Sequence, residues 1–199
     1  MAKRNNGYVF PPKPVIVNNN DYNSPRSINV GFCGSMEWDL PNEVLLQSIS
    51  GSYGHLRTFI NTHENHSYYN DLPIRIHVGD NPNGVDAMVI KYFTRDISPR
   101  VRTAVYGVND HWRNLHEVFY PSQGEYITRI TGARGNAKSI FYERDAYMLK
   151  YIQVLYAIWN GSSSGTLAQY RAAHKHPKIV AFLVRYEDGK WVIDRDVDI

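Results

Sequence analysis

The stretch Ile152-Gln153-Val154-Leu155-Tyr156-Ala157-Ile158-Trp159, followed by Asn160-Gly161-Ser162-Ser163-Ser164-Gly165-Thr166, decides the fold. Its first part is almost continuously apolar. A strand with one wet face alternates apolar and polar residues, whereas a strand covered on both faces does not. The reading is therefore a central strand with helices above and below it. The second part is a tight turn of glycine and hydroxylated residues, and it leads into a helix over Leu167 to His174.

Outward from this unit the same alternation repeats. Ile28 to Cys33 reads as a strand that ends at Gly34-Ser35. Leu40-Pro41-Asn42-Glu43 opens a helix, since Pro is favoured in a first turn, and Val44, Leu45 and Ile49 continue its apolar face. Residues 51–73 are less periodic. His55 to Ile60 fit a helix, and His63 to Asp71 read as polar loop. Ile74 to Val78 is a second strand, Asp80 to Gly84 a turn cluster, and Val85 to Phe93 a helix with Val85, Met88, Val89 and Tyr92 on one face. Val101 to Tyr106 is a third strand. Asp110 caps a short helix through Phe119. Tyr126 to Ile130 forms a fourth strand and Ser139 to Lys150 a helix. Ile179 to Tyr186 is a further strand, Glu187-Asp188-Gly189-Lys190 a hairpin turn, and Trp191-Val192-Ile193 the return.

Strands that alternate with helices predict an α/β fold. The expectation is a Rossmann-like three-layer domain with a mainly parallel sheet, right-handed crossovers and a C-terminal antiparallel hairpin. That domain covers residues 27–199. Residues 1–26 are rich in Asn and Pro and read as an extended N-terminal arm. The arm's apolar patches, Tyr8-Val9-Phe10 and Val15-Ile16-Val17, are suited to docking on the body or on a second subunit. The polar stretches 61–72 and 107–125 read as loops over a ligand cleft or as surface insertions.

Composition narrows the function classes. The chain has 199 residues, 43% of them hydrophobic, which suits one folded domain. Cys33 is the only cysteine, so neither a disulfide framework nor a four-thiolate zinc site is available. No apolar run approaches the roughly 18 residues of a membrane helix, and the polar, basic N-terminus lacks the apolar segment of a signal peptide. A cytoplasmic protein with no membrane partner is expected. The net charge of +3 sits in residues 1–26, where Lys3, Arg4, Lys13 and Arg26 face Asp21 alone. Of the 22 basic and 19 acidic residues, 18 of each then remain, so the body is formally neutral. Backbone-phosphate binding needs a broad basic face, so nucleic acid is not the expected partner.

Three glycine-bearing turns fall at the carboxyl ends of strands, where open α/β sheets bind ligands. They are Gly31 to Ser35, Gly79 to Asp86, and Gly161 to Thr166. Glycine lets a ligand approach the backbone, and the following helix offers unpaired N–H groups and a positive dipole end. A phosphate is the natural guest. Ser162, Ser163, Ser164 and Thr166 add hydroxyl donors. Any one such turn also serves pure chain geometry. Neither G-x-G-x-x-G nor G-x-x-x-x-G-K-[ST] is present, so ordinary dinucleotide and P-loop sites lose support.

Four blocks in order resemble the SLOG superfamily, the Rossmann-like group that includes Lonely Guy-type nucleotide phosphoribohydrolases and DNA-processing protein A. Val30-Gly31-Phe32-Cys33-Gly34-Ser35 resembles its opening strand and Gly-Ser turn. Gly84-Val85-Asp86-Ala87-Met88 resembles its Gly-Ala-Asp helix block. Gly132-Ala133 with Glu143-Arg144-Asp145-Ala146-Tyr147-Met148 resembles its Arg-x-x-x-Met helix. Asn160-Gly161-Ser162-Ser163-Ser164-Gly165-Thr166-Leu167 resembles its Gly-Gly-x-Gly-Thr turn. The matches span residues 28–183. The resemblance implies that Gly34, Ser35, Arg144, Gly161, Ser164, Gly165 and Thr166 line a nucleotide phosphate or ribose site, and that the chain forms a homo-oligomer. It also exposes a departure. The hydrolase branch carries a glutamate three residues after the threonine, and here that position is Gln169. An amide can hold a ribose hydroxyl but cannot act as a carboxylate base.

The ligand-binding set expected on this reading is Gly34, Ser35, Asp86, Arg144, Gly161, Ser162, Ser163, Ser164, Gly165, Thr166 and Gln169. The ligand is a nucleotide or nucleotide-derived sugar phosphate, with no cofactor required. The protein acts as a sensor or sequestering protein. The alternative is an enzyme on a nucleotide N-glycosidic bond, a hydrolase or deoxyribosyltransferase. It needs a substitute carboxylate. Glu37 is preferred because it would overhang the cleft, with Glu143 as a second candidate and Asp39 and Asp145 nearby. A single-stranded DNA binder is a third, weaker reading. Asp86 is equally suited to capping a helix, and Glu143 and Asp145 to an exposed helix face.

Other motifs add little. Gly161-Ser162-Ser163-Ser164-Gly165 fits G-x-S-x-G, but no histidine follows Asp188 or Asp194 as a serine hydrolase would need. His63 with His66, His111 with His116, and His174 with His176 do not combine into a metal site, so none is expected. Among the 15 tyrosines and their aromatic neighbours, Tyr68, Tyr69, Tyr106, Trp112, Tyr142 and Tyr147 are candidates to stack on a base or to pack the core.

Overall fold

The computed structural model describes residues 27–62, 66–95, 100–108, 124–129 and 137–195. The N-terminal arm over 1–26 and the short helix expected over 110–119 lie outside them. Among the described residues the elements run β1 (Ile28–Gly34), α1 (Asn42–Asn61), α2 (His66–Asp71), β2 (Ile74–Gly79), α3 (Gly84–Arg95), β3 (Val101–Val108), β4 (Gly124–Arg129), α4 (Ala137–Met148), β5 (Val154–Trp159), α5 (Ser164–His174), β6 (Val180–Glu187) and β7 (Lys190–Arg195). Seven strands form one sheet in the order β4-β3-β2-β1-β5-β6-β7. Every neighbouring pair is parallel except β6 and β7. The fold is the expected three-layer α/β domain with a closing antiparallel hairpin.

Topology explains the layers. The chain steps outward from β1 to β4, then returns to the other flank of β1 for β5 and β6. Right-handed crossovers in opposite directions must place their helices on opposite faces. Accordingly, Val30 and Phe32 of β1 and Tyr156 and Ile158 of β5 meet Leu45, Ile49 and Leu56 of α1 and Val85 and Val89 of α3. The alternate strand residues Cys33, Leu155 and Ala157 meet Met148 of α4 and Tyr170 and Ala173 of α5 on the other side. In α1 the buried residues Leu45, Ser48, Ile49, Ser52, Leu56 and Ile60 recur at helical spacing, which draws a single, mostly apolar stripe facing the sheet.

Two histidines, the buried His77 and the half-buried His55, have their hydrogen bonds met within the core. His77 lies 2.7 Å from the Tyr106 hydroxyl and 3.0 Å from the Asn29 carboxamide oxygen. Burial, with Arg75 nearby, pushes its pKa down to about 3, so it is neutral. His55 lies 2.9 Å from the Tyr156 hydroxyl and packs edge-on to Phe182.

Several boundaries differ from the sequence reading, β4 (Gly124–Arg129) and α4 (Ala137–Met148) by about two residues and others by more. His66–Asp71, read as polar loop, is the short helix α2, which rests on α1. So short a helix owes its stability to tertiary contact rather than to its own apolar pattern. Helix α5 begins at Ser164 rather than Leu167, because the small hydroxylated residues form its cap and first turn. β5 begins at Val154. Gln153 just before it uses its side-chain oxygen to accept the Asn29 amide at 2.8 Å. The β6–β7 turn is Asp188-Gly189, with φ of 50° and 79°, as a two-residue hairpin requires.

Candidate ligand-binding site

Because β1, β2 and β5 are parallel, their carboxyl ends share one edge of the sheet. The chain reverses direction between β1 and β5, and this switch point is where open α/β sheets form a crevice. A cavity of about 280 Å³ opens there. It is floored by Cys33 and Gly34 of β1 and Gly79 of β2. One side is formed by Phe141, Tyr142, Arg144, Asp145 and Met148 of α4, and the other by Ser163 to Thr166 and Gln169 of α5. Met36, Asn81 and Asp86 complete it.

Asn160 organises the turn into α5. Its side-chain oxygen accepts the amides of Ser162 at 3.1 Å and Ser163 at 2.9 Å, an Asx turn. Its side-chain nitrogen donates to the Glu37 carbonyl at 2.8 Å, which ties the β1–α1 loop to the turn. Gly161 has φ of 87°, a conformation that favours glycine. Ser163 is the N-cap, and its hydroxyl oxygen accepts the Thr166 amide at 3.4 Å. The chain's own side chains thus occupy the amides of Ser162, Ser163 and Thr166. Among the described residues, no hydrogen bond engages the amides of Ser164 and Gly165. They sit at the positive end of an 11-residue helix and at the cavity wall.

Two further observations concern this wall. A side chain at Gly165 would meet nothing within 4 Å, and its φ is not positive. Neither crowding nor backbone conformation calls for glycine there. One helical turn on, Gln169 is 7% exposed and its side-chain nitrogen is buried without a hydrogen-bond partner. Such groups are rare because each costs roughly 1–3 kcal/mol of lost hydration.

The opposite wall is acidic. The Arg144 guanidinium lies 2.7 Å from Asp80, 2.8 Å from Asp145 and 4.0 Å from Asp86. All three carboxylates favour its charged form. Burial raises the Asp86 pKa from 3.8 to about 7, with Asp145 and Asp80 adding to it and Arg144 and the Asn81 amide opposing it. Burial likewise raises the Cys33 thiol, so it stays protonated and inert.

The sequence-predicted residues divide into groups. Gly34, Asp86, Arg144, Ser163, Ser164, Gly165, Thr166 and Gln169 converge on the cavity. Within it, the Arg144 guanidinium is engaged by carboxylates, and Gly34 leaves room for Val85 and the Ile158 carbonyl. Ser35 is buried as a junction: its amide donates to Ile158, its carbonyl accepts from Val85 and Trp38, and its hydroxyl accepts from Asn160. Glu37, Asp39, Gly161 and Ser162 border a neighbouring depression of about 460 Å³ with Trp38, Trp159 and Arg185. Glu143 lines neither. Of the stacking candidates, Tyr142 reaches the cavity. Tyr106 is buried against His77, and Tyr147 bonds Tyr151. Trp112 and the side chains of Tyr68 and Tyr69 lie outside what is described. Among the described residues no three His, Cys, Asp or Glu are grouped to hold a metal, and no helix is long and apolar enough to cross a membrane.

Sequence reasoning missed Asn160, Asp80 and Met36. An Asn immediately before a Gly-Ser turn is an Asx signal that was there to be read. Asp80 and Met36 gave none, because their roles depend on contacts far away in the chain.

Fold and cavity together define a Rossmann-like α/β domain with a cavity at its switch point. No family model matches the chain, and no curated protein matches it. Among solved structures it is similar to the Moco carrier protein from Chlamydomonas reinhardtii, with 19% sequence identity over 78% of this chain and 75% of that one and a TM-score of 0.42. At that degree of similarity the site is read from its own residues.

Proposed function

We propose that this protein binds a phosphorylated small molecule of the nucleotide kind, a nucleotide or nucleotide-derived sugar phosphate, as a sensor or sequestering protein of SLOG type. The open Ser164 and Gly165 amides receive the phosphate at the α5 N-terminus. The buried, unpartnered Gln169 nitrogen, one turn away on the same wall, is the observation that carries the reading. It needs an acceptor that the chain does not supply, and a phosphate or ribose oxygen supplies one. A cavity near the lower end of the usual ~300–1,000 Å³ range suits a guest of mononucleotide size better than a dinucleotide.

The acidic wall favours hydroxyl or amino donors on the rest of the guest. It does not favour further phosphates, since the Arg144 charge is already matched. Gln169 provides no carboxylate base, and Glu37 borders the neighbouring depression, which supports binding over cleavage. A second reading, cleavage of an N-glycosidic bond, draws on Asp86. A cavity carboxyl with a pKa of about 7 exchanges protons at neutral pH.

Calorimetric titration of nucleoside 5′-monophosphates and their parent nucleosides tests the proposal. Binding that requires the phosphate and is lost in Gly165→Leu is expected. Equal binding of nucleosides, or unchanged affinity in folded Gly165→Leu, contradicts it. Chromatography of the same mixtures separates the two readings: intact ligand supports binding, and free base supports cleavage.

A further inference from the structure

We infer that the guest carries a planar ring, held at the cavity mouth by Met36 and Tyr142, and that these two residues set specificity for a base-bearing nucleotide over a ring-free sugar phosphate. The inference rests on the proposed phosphate site and deepens it.

Exposed hydrophobic side chains scattered singly over a surface are ordinary. Here they are not scattered. Among the described residues the exposed large hydrophobics are Met36, 52% exposed, and Tyr142, 47% exposed. They lie 106 positions apart in sequence, one after β1 and one on α4, yet both line the same cavity. Each is held in place by something else. The backbone of Met36 abuts Gly84, and the neighbouring Ser35 is bonded to β5 and α3. Tyr142 lies two residues before Arg144, which the carboxylates anchor. The side chains therefore stand at the mouth because their backbones are fixed there.

Their chemistry matches a ring. A tyrosine face stacks on a heteroaromatic ring, and a thioether is polarisable and adapts to such a surface. Phe141 extends the apolar wall beside them. With the phosphate at the α5 end and the sugar near Gln169 and Asp86, the mouth is left for the remaining part of a nucleotide, its base. A sugar phosphate without a ring would leave both side chains in water.

The test titrates the full chain and its Tyr142→Ala, Tyr142→Phe and Met36→Ala variants with the common nucleoside 5′-monophosphates and with ribose 5-phosphate. In the wild type, at least one monophosphate should bind about tenfold or more tightly than ribose 5-phosphate. Tyr142→Ala should remove most of that advantage by weakening the monophosphate far more than ribose 5-phosphate, whereas Tyr142→Phe should keep it. Met36→Ala should give a smaller loss in the same direction. Wild-type binding of ribose 5-phosphate as tight as that of every monophosphate overturns the ring assignment alone. So does a Tyr142→Ala variant that keeps the full advantage. Failure of every phosphorylated probe to bind the wild type overturns the phosphate site and the ring assignment with it.

Discussion

Arg144 Nη1 lies 2.7 Å from Asp80 Oδ1, and both side chains are almost wholly shielded from water. The pair joins α4 to the loop after β2 and so fixes two walls of the cavity. A buried carboxylate left without its cation is costly. Arg144→Met should lower stability by about 3–5 kcal/mol. Urea unfolding followed by circular dichroism measures this. Arg144→Lys should recover only part, because one ammonium cannot reach Asp80 and Asp145 with the geometry of a guanidinium. A Met variant as stable as the wild type would show that the pair does not anchor the site.

Asp86 should give the protein a pH-dependent stability. Its folded pKa of about 7 lies above the unfolded value of 3.8, chiefly through burial. Between those values the folded state holds a proton that the unfolded state has lost. Stability from this group therefore falls as pH rises through the window, and it levels off above about pH 7. Asp86→Asn cannot ionise. It should match the wild type near pH 4 and flatten the profile. Near pH 8 it should be the more stable by a few kcal/mol, since each tenfold change in proton affinity is worth ~1.4 kcal/mol. Parallel profiles for the two proteins would contradict this assignment.

Two glycines should behave in opposite ways. Gly84 has φ of 65°, and a side chain there would lie 2.3 Å from the Ser35 carbonyl oxygen. Gly84→Ala should therefore destabilise the fold by roughly 1–3 kcal/mol through backbone strain, with crowding added. Gly165 has space around it and lies in the first turn of α5, so Gly165→Ala should be neutral or stabilising by up to about 1 kcal/mol. Its cost should appear only in ligand affinity. Thermal unfolding of both variants, with titration of the second, checks the contrast.

The central strand was legible because β5 is buried on both faces, so its sequence could be apolar throughout. The strand–turn–helix order was legible because each turn needs glycine, proline or hydroxylated residues locally. Convergence of Gly34, Asp86 and the α5 turn followed from the parallel order, which places the carboxyl ends of β1 to β6 on one edge, whereas Arg144, inside α4, was implied only by the resemblance. What stayed hidden was long-range. The resemblance placed Arg144 at the site, but nothing local announced its partner Asp80, 64 positions earlier. Glu37 read as overhanging the cleft, but the Asn160 side chain holds its carbonyl beside the neighbouring depression. Helix α2 was hidden because contact with α1 rather than its own apolar pattern sustains it.

The proposed function requires Gln169 to keep an unmet hydrogen bond for a guest. Gln169→Leu removes that bond alone, because leucine has similar volume and no polar atom. Calorimetric titration with a nucleoside 5′-monophosphate, paired with urea unfolding, should show a variant at least as stable as the wild type, by up to about 1 kcal/mol, that binds tenfold or more weakly. A Leu variant that binds as tightly as the wild type would contradict the account, whatever its stability.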